Sequence, residues 1–314
     1  MPCYPLKSLC LKPLSFVIIT YNRPADMLDL ARNIAGLQGT EELLEEVIVV
    51  NNASTTDYGE VRTFISAHPE IPFRYLDAPE NLGVARGRNF AIRQGRAPIL
   101  IMLDDDAELR DADCLYRLME AFKTAETNRP VAIVSFKVLY YATGDMQRNA
   151  FPHKQFEKHS HKSFLETSYY AGGAHAVTRT AIEAAGLYPE DFFYGMEEYD
   201  LSYRLIDAGY AITYSNKVVM LHKESPLGRS PHRDKIRMMW VNKCKVAWRY
   251  LPLRFFITTA LMWSMEYLKQ TRGDFHGWWA GWRAIAGIPG GQQRKPVGPE
   301  AMHYLKRTGA RLWY

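Results

Sequence analysis

The sequence predicts an α/β protein, a doubly wound, mostly parallel sheet followed by a basic, tryptophan-rich helical appendage, and three observations carry that reading. Short apolar runs alternate with helical stretches over residues 15–221. The polar loops that could hold a ligand follow the C-terminal ends of those runs, where open α/β sheets collect their ligands. Charge is also divided: residues 1–216 hold 21 Lys+Arg against 29 Asp+Glu, and residues 217–314 hold 18 against 5, so the two parts carry −8 and +13. A boundary near 230 then separates a ligand-binding domain, 1–230, from a helical region, 231–314.

The elements follow in order. Ser15 to Thr20 predicts a buried strand, and Tyr21-Asn22-Arg23-Pro24 turns the chain into an amphipathic helix through Leu37. Leu44–Val50 is a second strand, ending in the polar loop Asn51 to Asp57. A helix over 58–67, a short strand at Phe73–Leu76 and a helix over 84–94 lead to the strand Pro98–Leu103, which stops at three consecutive aspartates. A helix over 112–126 and a strand over Val131–Leu139 precede a polar, His/Lys-rich stretch, 144–166, that lacks periodicity and reads as a mobile loop beside the site. Gly172-Gly173 precede a helix over 179–185, a helix over Glu198–Asp207 and a strand over Ala211–Leu221. From 232 the pattern is helical, until Pro289-Gly290-Gly291 opens a loose tail.

With 314 residues, 47% hydrophobic and 23% charged, the chain is long enough to bury a full core. Its four cysteines, Cys3, Cys10, Cys114 and Cys244, have no paired metal-ligand spacing and are too sparse to staple a fold, so a reducing cytoplasm is expected. Lys7 and Lys12 are present, but no continuous apolar run precedes Phe16, which argues against a secretory signal. The longest apolar run, Phe255–Met265, has 11 residues and is too short to cross about 30 Å of hydrocarbon. All seven tryptophans lie between Trp240 and Trp313 in the basic part. Basic charge with tryptophan predicts peripheral attachment to an anionic membrane surface, Trp263, Trp278, Trp279 and Trp282 seating at the headgroups. The plainer account is a helical subdomain with some tryptophan in its core. A nucleic-acid partner is not expected, because the pattern lacks the repeating character of a phosphate-tracking groove.

Three clusters carry chemistry. The run Ile99 to Leu103 ends in Asp104-Asp105-Asp106, and carboxylates concentrated at one strand end call for a cation, Mg²⁺ or Mn²⁺ being the ions that hard oxygen ligands select. Otherwise it is a solvated acidic loop capping the next helix. In Phe192 to Leu201, Glu197, Glu198 and Asp200 sit inside an aromatic wall, where burial raises a carboxylate towards general-base duty. An acid-rich helix N-terminus explains the same residues through the helix dipole. His222 ends the apolar run Val218 to Leu221 and offers an imidazole to a metal, although a lone histidine after a strand is more often structural.

Taken together and in order, Val17 to Pro24, the Val49-Val50-Asn51-Asn52-Ala53-Ser54 loop, Asn81-Leu82-Gly83 with Ala85 to Asn89, the triple aspartate, Gly172-Gly173, Glu197 to Leu201 and His222 resemble the family 2 glycosyltransferases, over residues 15–225. The resemblance implies a GT-A fold and inverting transfer of a sugar, hexosyl or rhamnosyl, from a nucleotide-diphosphate sugar to a glycan or lipid-linked acceptor in bacterial surface-polysaccharide synthesis. It implies a DXD-type metal site at Asp104 and Asp106, joined by His222. It places Thr20, Tyr21, Asn22, Arg23, Asn51, Asn52, Ser54, Asn81, Gly83, Arg88, Asp104 and Asp105 around the donor nucleotide, and Gly172, Gly173 and Asp200 near the sugar or acceptor. Glu198, or its neighbour Glu197, is the implied base. The chain departs from the family pattern twice: Asn51 stands where an Asp is common, exchanging a carboxylate acceptor for an amide, and Glu197-Glu198 stands where Glu-Asp is frequent.

A metal-dependent nucleotidyltransferase acting on sugar phosphates would use the same strand-end carboxylates, but its glycine-rich, Lys-bearing loop after the first strand is absent. A pure binding module is disfavoured by the intact carboxylates. Glycoside hydrolysis is disfavoured because the acids follow a nucleotide-fold order.

Overall fold

The computed structural model describes residues 11–228 and 230–313, so Cys3, Lys7 and Cys10 lie outside the described residues. Nine strands form one sheet: β1 (Leu14–Thr20), β2 (Leu44–Asn51), β3 (Phe73–Asp77), β4 (Ile99–Asp104), β5 (Ala107–Leu109), β6 (Val131–Tyr140), β7 (Phe164–Thr167), β8 (Ala174–Thr178) and β9 (Ala211–His222). The order is β3-β2-β1-β4-β8-β6-β9-β5, with β7 also on β9. The half β3-β2-β1-β4 is parallel, as the alternation of strand and helix predicts. β8 then enters antiparallel between β4 and β6, β6 and β9 run parallel, and β5 and β7 pair antiparallel with β9. The sheet is therefore mixed, and β5 and β8 are strands that the sequence pattern did not announce.

The first strands are almost uniformly apolar because helices cover both of their faces. Ile48, Val50, Leu100 and Met102 join one core cluster, while Phe16, Ile18, Val49, Ile101 and Leu103 join the other. Register matters more for function. Thr20 pairs with Asn51, Asn51 with Asp77, and Ile19 with Asp104, so four polar strand ends line up along one edge of the sheet.

Two loops proved more ordered than expected. The stretch 144–166 contains the helical turn Phe156–His159, the start of β7 and a buried Phe151. Beyond Pro289, helix Pro299–Arg307 buries Tyr304 and Leu305 in the main core. Tyr304 also exchanges hydrogen bonds with the backbone of Ile212 in β9.

The C-terminal helices His232–Tyr250, Leu253–Gln270 and Phe275–Ala286 pack on one another around Trp240, Tyr267 and Cys244. Trp240 is fully buried, Trp282 stands edge-on against it, and Trp263 and Trp278 pack against the same cluster. Of the four tryptophans expected at a membrane surface only Trp279 projects, at 62% exposure; the others build the layer itself. No helix among the described residues is long and apolar enough to cross a membrane.

Candidate active site

At the aligned strand ends lies a cleft of about 560 Å³, lined by the first two loops, the aspartates, His222 and the segment from Phe193 to Tyr194. Its walls depend on left-handed backbone at non-glycine residues. Asn22, Ala53, Met196 and Glu224 all have φ between 55° and 70°, in four loops that converge here, and such strain gathers where a site over-determines the backbone.

Asn22 is held in that conformation from both sides: its N–H donates to Ser54 Oγ at 2.9 Å, and its Oδ1 accepts from the Thr55 N–H at 2.8 Å. Asn52 Nδ2 donates to Asn81 Oδ1 at 3.1 Å, and its Oδ1 accepts from the Leu82 N–H at 2.9 Å. Gly83, at φ +69°, lets the Phe193 carbonyl come so close that a Cβ would sit 2.5 Å from it. Asn51 Nδ2 donates to Asp77 Oδ1 at 3.1 Å. A carboxylate therefore stands at this rim after all, on the next strand and clamped by Arg62.

The three aspartates diverge. Asp105 turns into the floor, where Thr20 Oγ1 and Arg23 each donate to it at 2.8 Å; burial pushes it up to about 7 against the pull of Arg23. It still borders the cleft, with its carboxylate engaged by Thr20 and Arg23. Thr20 Oγ1 also meets Tyr58 Oη at 2.6 Å, and that hydroxyl accepts the Arg23 N–H, a support with no sequence motif to reveal it. Asp104 and Asp106 face His222, and one ligand atom from each of the three lies within 4.8 Å of the others. His222 Nδ1 meets Gln147 Oε1 at 2.9 Å, and Gln147 Nε2 donates to Glu224. That chain makes Nδ1 a donor and turns Nε2 towards Asp106 Oδ1, 3.4 Å away, where it donates to the carboxylate when protonated and offers its lone pair to a cation when not. Two carboxylates and an oriented imidazole on rigid strand ends fit a divalent cation of the Mn²⁺ or Mg²⁺ kind. Gly173 belongs to the same construction, because a Cβ there would lie 2.0 Å from Asp104 Oδ2.

Arg88, almost wholly buried, links this cluster to the acids of helix Glu197–Asp207, reaching Glu197 Oε1 at 3.0 Å and Asp104 Oδ1 at 3.3 Å. Gly172 leaves it room, a Cβ there being an ordinary 3.6 Å from its guanidinium. Glu198 points elsewhere, into a smaller cavity of about 200 Å³ that shares Asp104, Gln147, Asn149 and His222 with the main cleft. Burial, then the neighbouring Glu197 charge, push Glu198 up to about 8. Lys243 enters from helix His232–Tyr250, its ammonium 3.5 Å from the centre of the Tyr199 ring; burial drives it down to about 7 while the Glu198 charge opposes that fall. Nothing in the sequence marked Lys243 among the many basic residues of that region.

Asp200 is the exception among the expected site residues. It is buried away from the cavities, accepting from Arg204 Nε at 2.8 Å, Arg249 at 2.7 Å and Tyr250 Oη at 3.0 Å. It fastens the C-terminal helices to the sheet domain.

A parallel half-sheet whose strand ends present a carboxylate pair, an imidazole and a deep polar cleft defines an α/β enzyme of the nucleotide-binding kind. Residues 15–186 match Glycosyl transferase family 2, and the chain belongs to that family. It is 26% identical over 261 residues to YfnE of Bacillus subtilis, an uncharacterized glycosyltransferase, covering 68% of this chain and 65% of that protein. It is 28% identical over 176 residues to an uncharacterized protein of Haemophilus influenzae, covering 56% of this chain and 92% of the other. Among solved structures, the mannosyltransferase PcManGT of Pyrobaculum calidifontis, in complex with GDP-Man and Mn²⁺, superposes with a TM-score of 0.59 at 18% identity, over 95% of this chain and 80% of that one. GalNAc-T7 with UDP, GalNAc and Mn²⁺ gives 0.63 at 14% identity, over 96% and 55%. These likenesses establish the GT-A fold, with a helical C-terminal part.

Proposed function

We propose that this glycosyltransferase moves a hexosyl or rhamnosyl unit from a nucleoside-diphosphate sugar to an acceptor hydroxyl, with inversion, in building a bacterial surface polysaccharide at the inner face of the membrane. One observation carries the reading: the Asp104, Asp106 and His222 cluster and the Glu198 carboxylate open onto two cavities that share a wall. A leaving diphosphate and an attacking hydroxyl need that juxtaposition.

Tyr21, Arg23 and Asn52 line the end where the nucleoside would lie, supported by Thr20 and by the linked Asn22, Ser54 and Asn51, with Asp77 the carboxylate bonded to Asn51. Asp104, Asp106 and His222 would hold Mn²⁺ or Mg²⁺, which when bound offsets the charge gathering on the departing diphosphate. Arg88 keeps Asp104 and Glu197 in place, and its charge commits Glu197 to structural work. Glu198 is the base. Its carboxylate takes the hydroxyl proton as the acceptor oxygen bonds the anomeric carbon and the bond from that carbon to the diphosphate oxygen breaks. Its raised proton affinity suits it to the task near neutral pH.

The test is product analysis with purified enzyme and a panel of nucleotide sugars. Transfer should release nucleoside diphosphate, and Glu198→Gln should keep donor affinity while losing at least about a hundredfold in rate. Release of pyrophosphate from a sugar phosphate and a nucleoside triphosphate would make the protein a nucleotidyltransferase instead. A larger loss in Glu197→Gln would move the base one residue earlier.

A further inference from the structure

We propose that the outer face of helix Leu253–Gln270, with Phe275 and Trp279 of the next helix, is the surface by which the protein docks on an anionic lipid bilayer. This rests on the membrane-proximal reading of its function and names the residues that perform it. Leu253, Ile257, Leu261 and Met265 recur every fourth residue, which stacks them in one stripe. They are 49%, 50%, 52% and 58% exposed, and Met262 extends the stripe on one side. The opposite side of the helix is already used, Phe255, Thr259, Ala260, Ser264 and Tyr267 being buried. The stripe is therefore left over after the domain has packed its own core. Phe275 and Trp279, one turn apart on the neighbouring helix, are the most exposed large apolar residues described, at 69% and 62%. An apolar display of this extent on two adjoining helices marks an interaction surface.

Charge decides what covers it. Arg254 and Lys269 fall within the exposed arc of the first helix, Arg272 in the turn that follows, and Arg283 one turn beyond Trp279 in the same row. All four are exposed, and none forms an ion pair among the described residues. A second copy of the chain would bring the same cations against them, within a region whose net charge is +13. An anionic bilayer meets both features at once, the side chains entering the acyl boundary and the cations resting among phosphates. The helix lies on the membrane and does not cross it, in keeping with its one-sided apolarity.

The test is co-sedimentation of the full chain with phosphatidylcholine vesicles, with and without phosphatidylglycerol, at low and high salt. The wild type should require the anionic lipid and detach with salt. The double variant Ile257→Asp/Leu261→Asp should lose at least about tenfold in partitioning, since it places carboxylates where apolar area was to be buried. Both positions are exposed, so its melting temperature and its binding of UDP or GDP with Mn²⁺ should match the wild type. A wild type that stays in the supernatant overturns the proposal, as does a double variant that binds vesicles equally well. So does a lipid-free dimer that the double variant converts to monomer, because a second copy would then own the face. Transfer to a water-soluble acceptor is read in parallel: if it fails while vesicle binding persists, the enzymatic reading falls and the docking face stands.

Discussion

Gly173→Ala separates the metal site from the fold more cleanly than removal of a ligand would. A Cβ at position 173 would stand 2.0 Å from Asp104 Oδ2 and 2.3 Å from its carboxyl carbon. Carbon and oxygen without a bond approach to about 3.3 Å, so the carboxylate must retreat by more than about 1 Å. Metal–ligand distances tolerate about 0.2 Å, so Asp104 can no longer coordinate together with Asp106 and His222. The affinity for Mn²⁺ in the presence of UDP or GDP should fall at least about a hundredfold, beyond the upper range seen when only an outer-shell partner is lost. Stability should change by less than about 1 kcal/mol. Asp104 is 43% exposed and can swing outward, while the added Cβ removes backbone freedom from the unfolded chain. Gly172→Ala is the matched control, because its Cβ meets Arg88 at an ordinary 3.6 Å and should leave Mn²⁺ binding within about threefold. Calorimetric titration with Mn²⁺ and a urea melt of each variant supply both numbers. A Gly173→Ala protein that binds Mn²⁺ with wild-type affinity refutes the reasoning, whatever its activity.

Three other outcomes follow from the buried charges. Lys243→Met removes one of the two cations, with Arg88, whose charge favours ionised Glu198, so the ionised base becomes harder to form and the acidic limb of the pH–rate profile should move to higher pH; an unmoved limb would mean the two groups do not communicate. Glu198→Gln should also change stability, by a sign that follows from its raised proton affinity. The contribution of the protonated acid is complete below its ordinary value of 4.5 and is lost as pH rises through about 8, so the melting temperature should gain on the wild type at about pH 9 and match it at about pH 4. Asp200→Ala should cost about 3 kcal/mol, the low end for breaking a buried ion pair, since Arg204 keeps three carbonyl acceptors and Arg249 keeps Asp191. Unchanged stability with lost donor binding would return Asp200 to the sugar site.

What could be read from the chain was local. Apolar runs such as Phe16–Ile19 and Ile99–Leu103 predict strands because burial on both faces leaves no polar position, and the acids following the second run are adjacent in sequence. The ordered set of motifs from Val17 to His222 extends that reading to the site, whose parts sit at strand ends that a parallel sheet must bring to one edge. β5, with three residues, and β8, Ala-His-Ala-Val-Thr, carry too little pattern to be seen, and they exist because β9 and β4 offer them partners.

Pairings across long separations are decided only by the tertiary structure. Arg88 meets Glu197 across 109 positions, and Asp200 meets Arg249 across 49, so a residue that belongs by sequence to a catalytic segment is fixed as an anchor. Lys243 comes to act on Glu198 only because its helix sets its ammonium against the Tyr199 ring. The tryptophans make the same point: seven indoles in a basic stretch have one composition whether they fill a core or face a lipid. The sequence by itself determined the family, the strand-end acids and the charge division, because each is written in neighbouring residues. The tertiary structure decided which of two adjacent glutamates is held by an arginine and which faces the cavity, and which indoles remain outside. Direction and burial belong to packing, and packing is settled by residues that the chain keeps far apart.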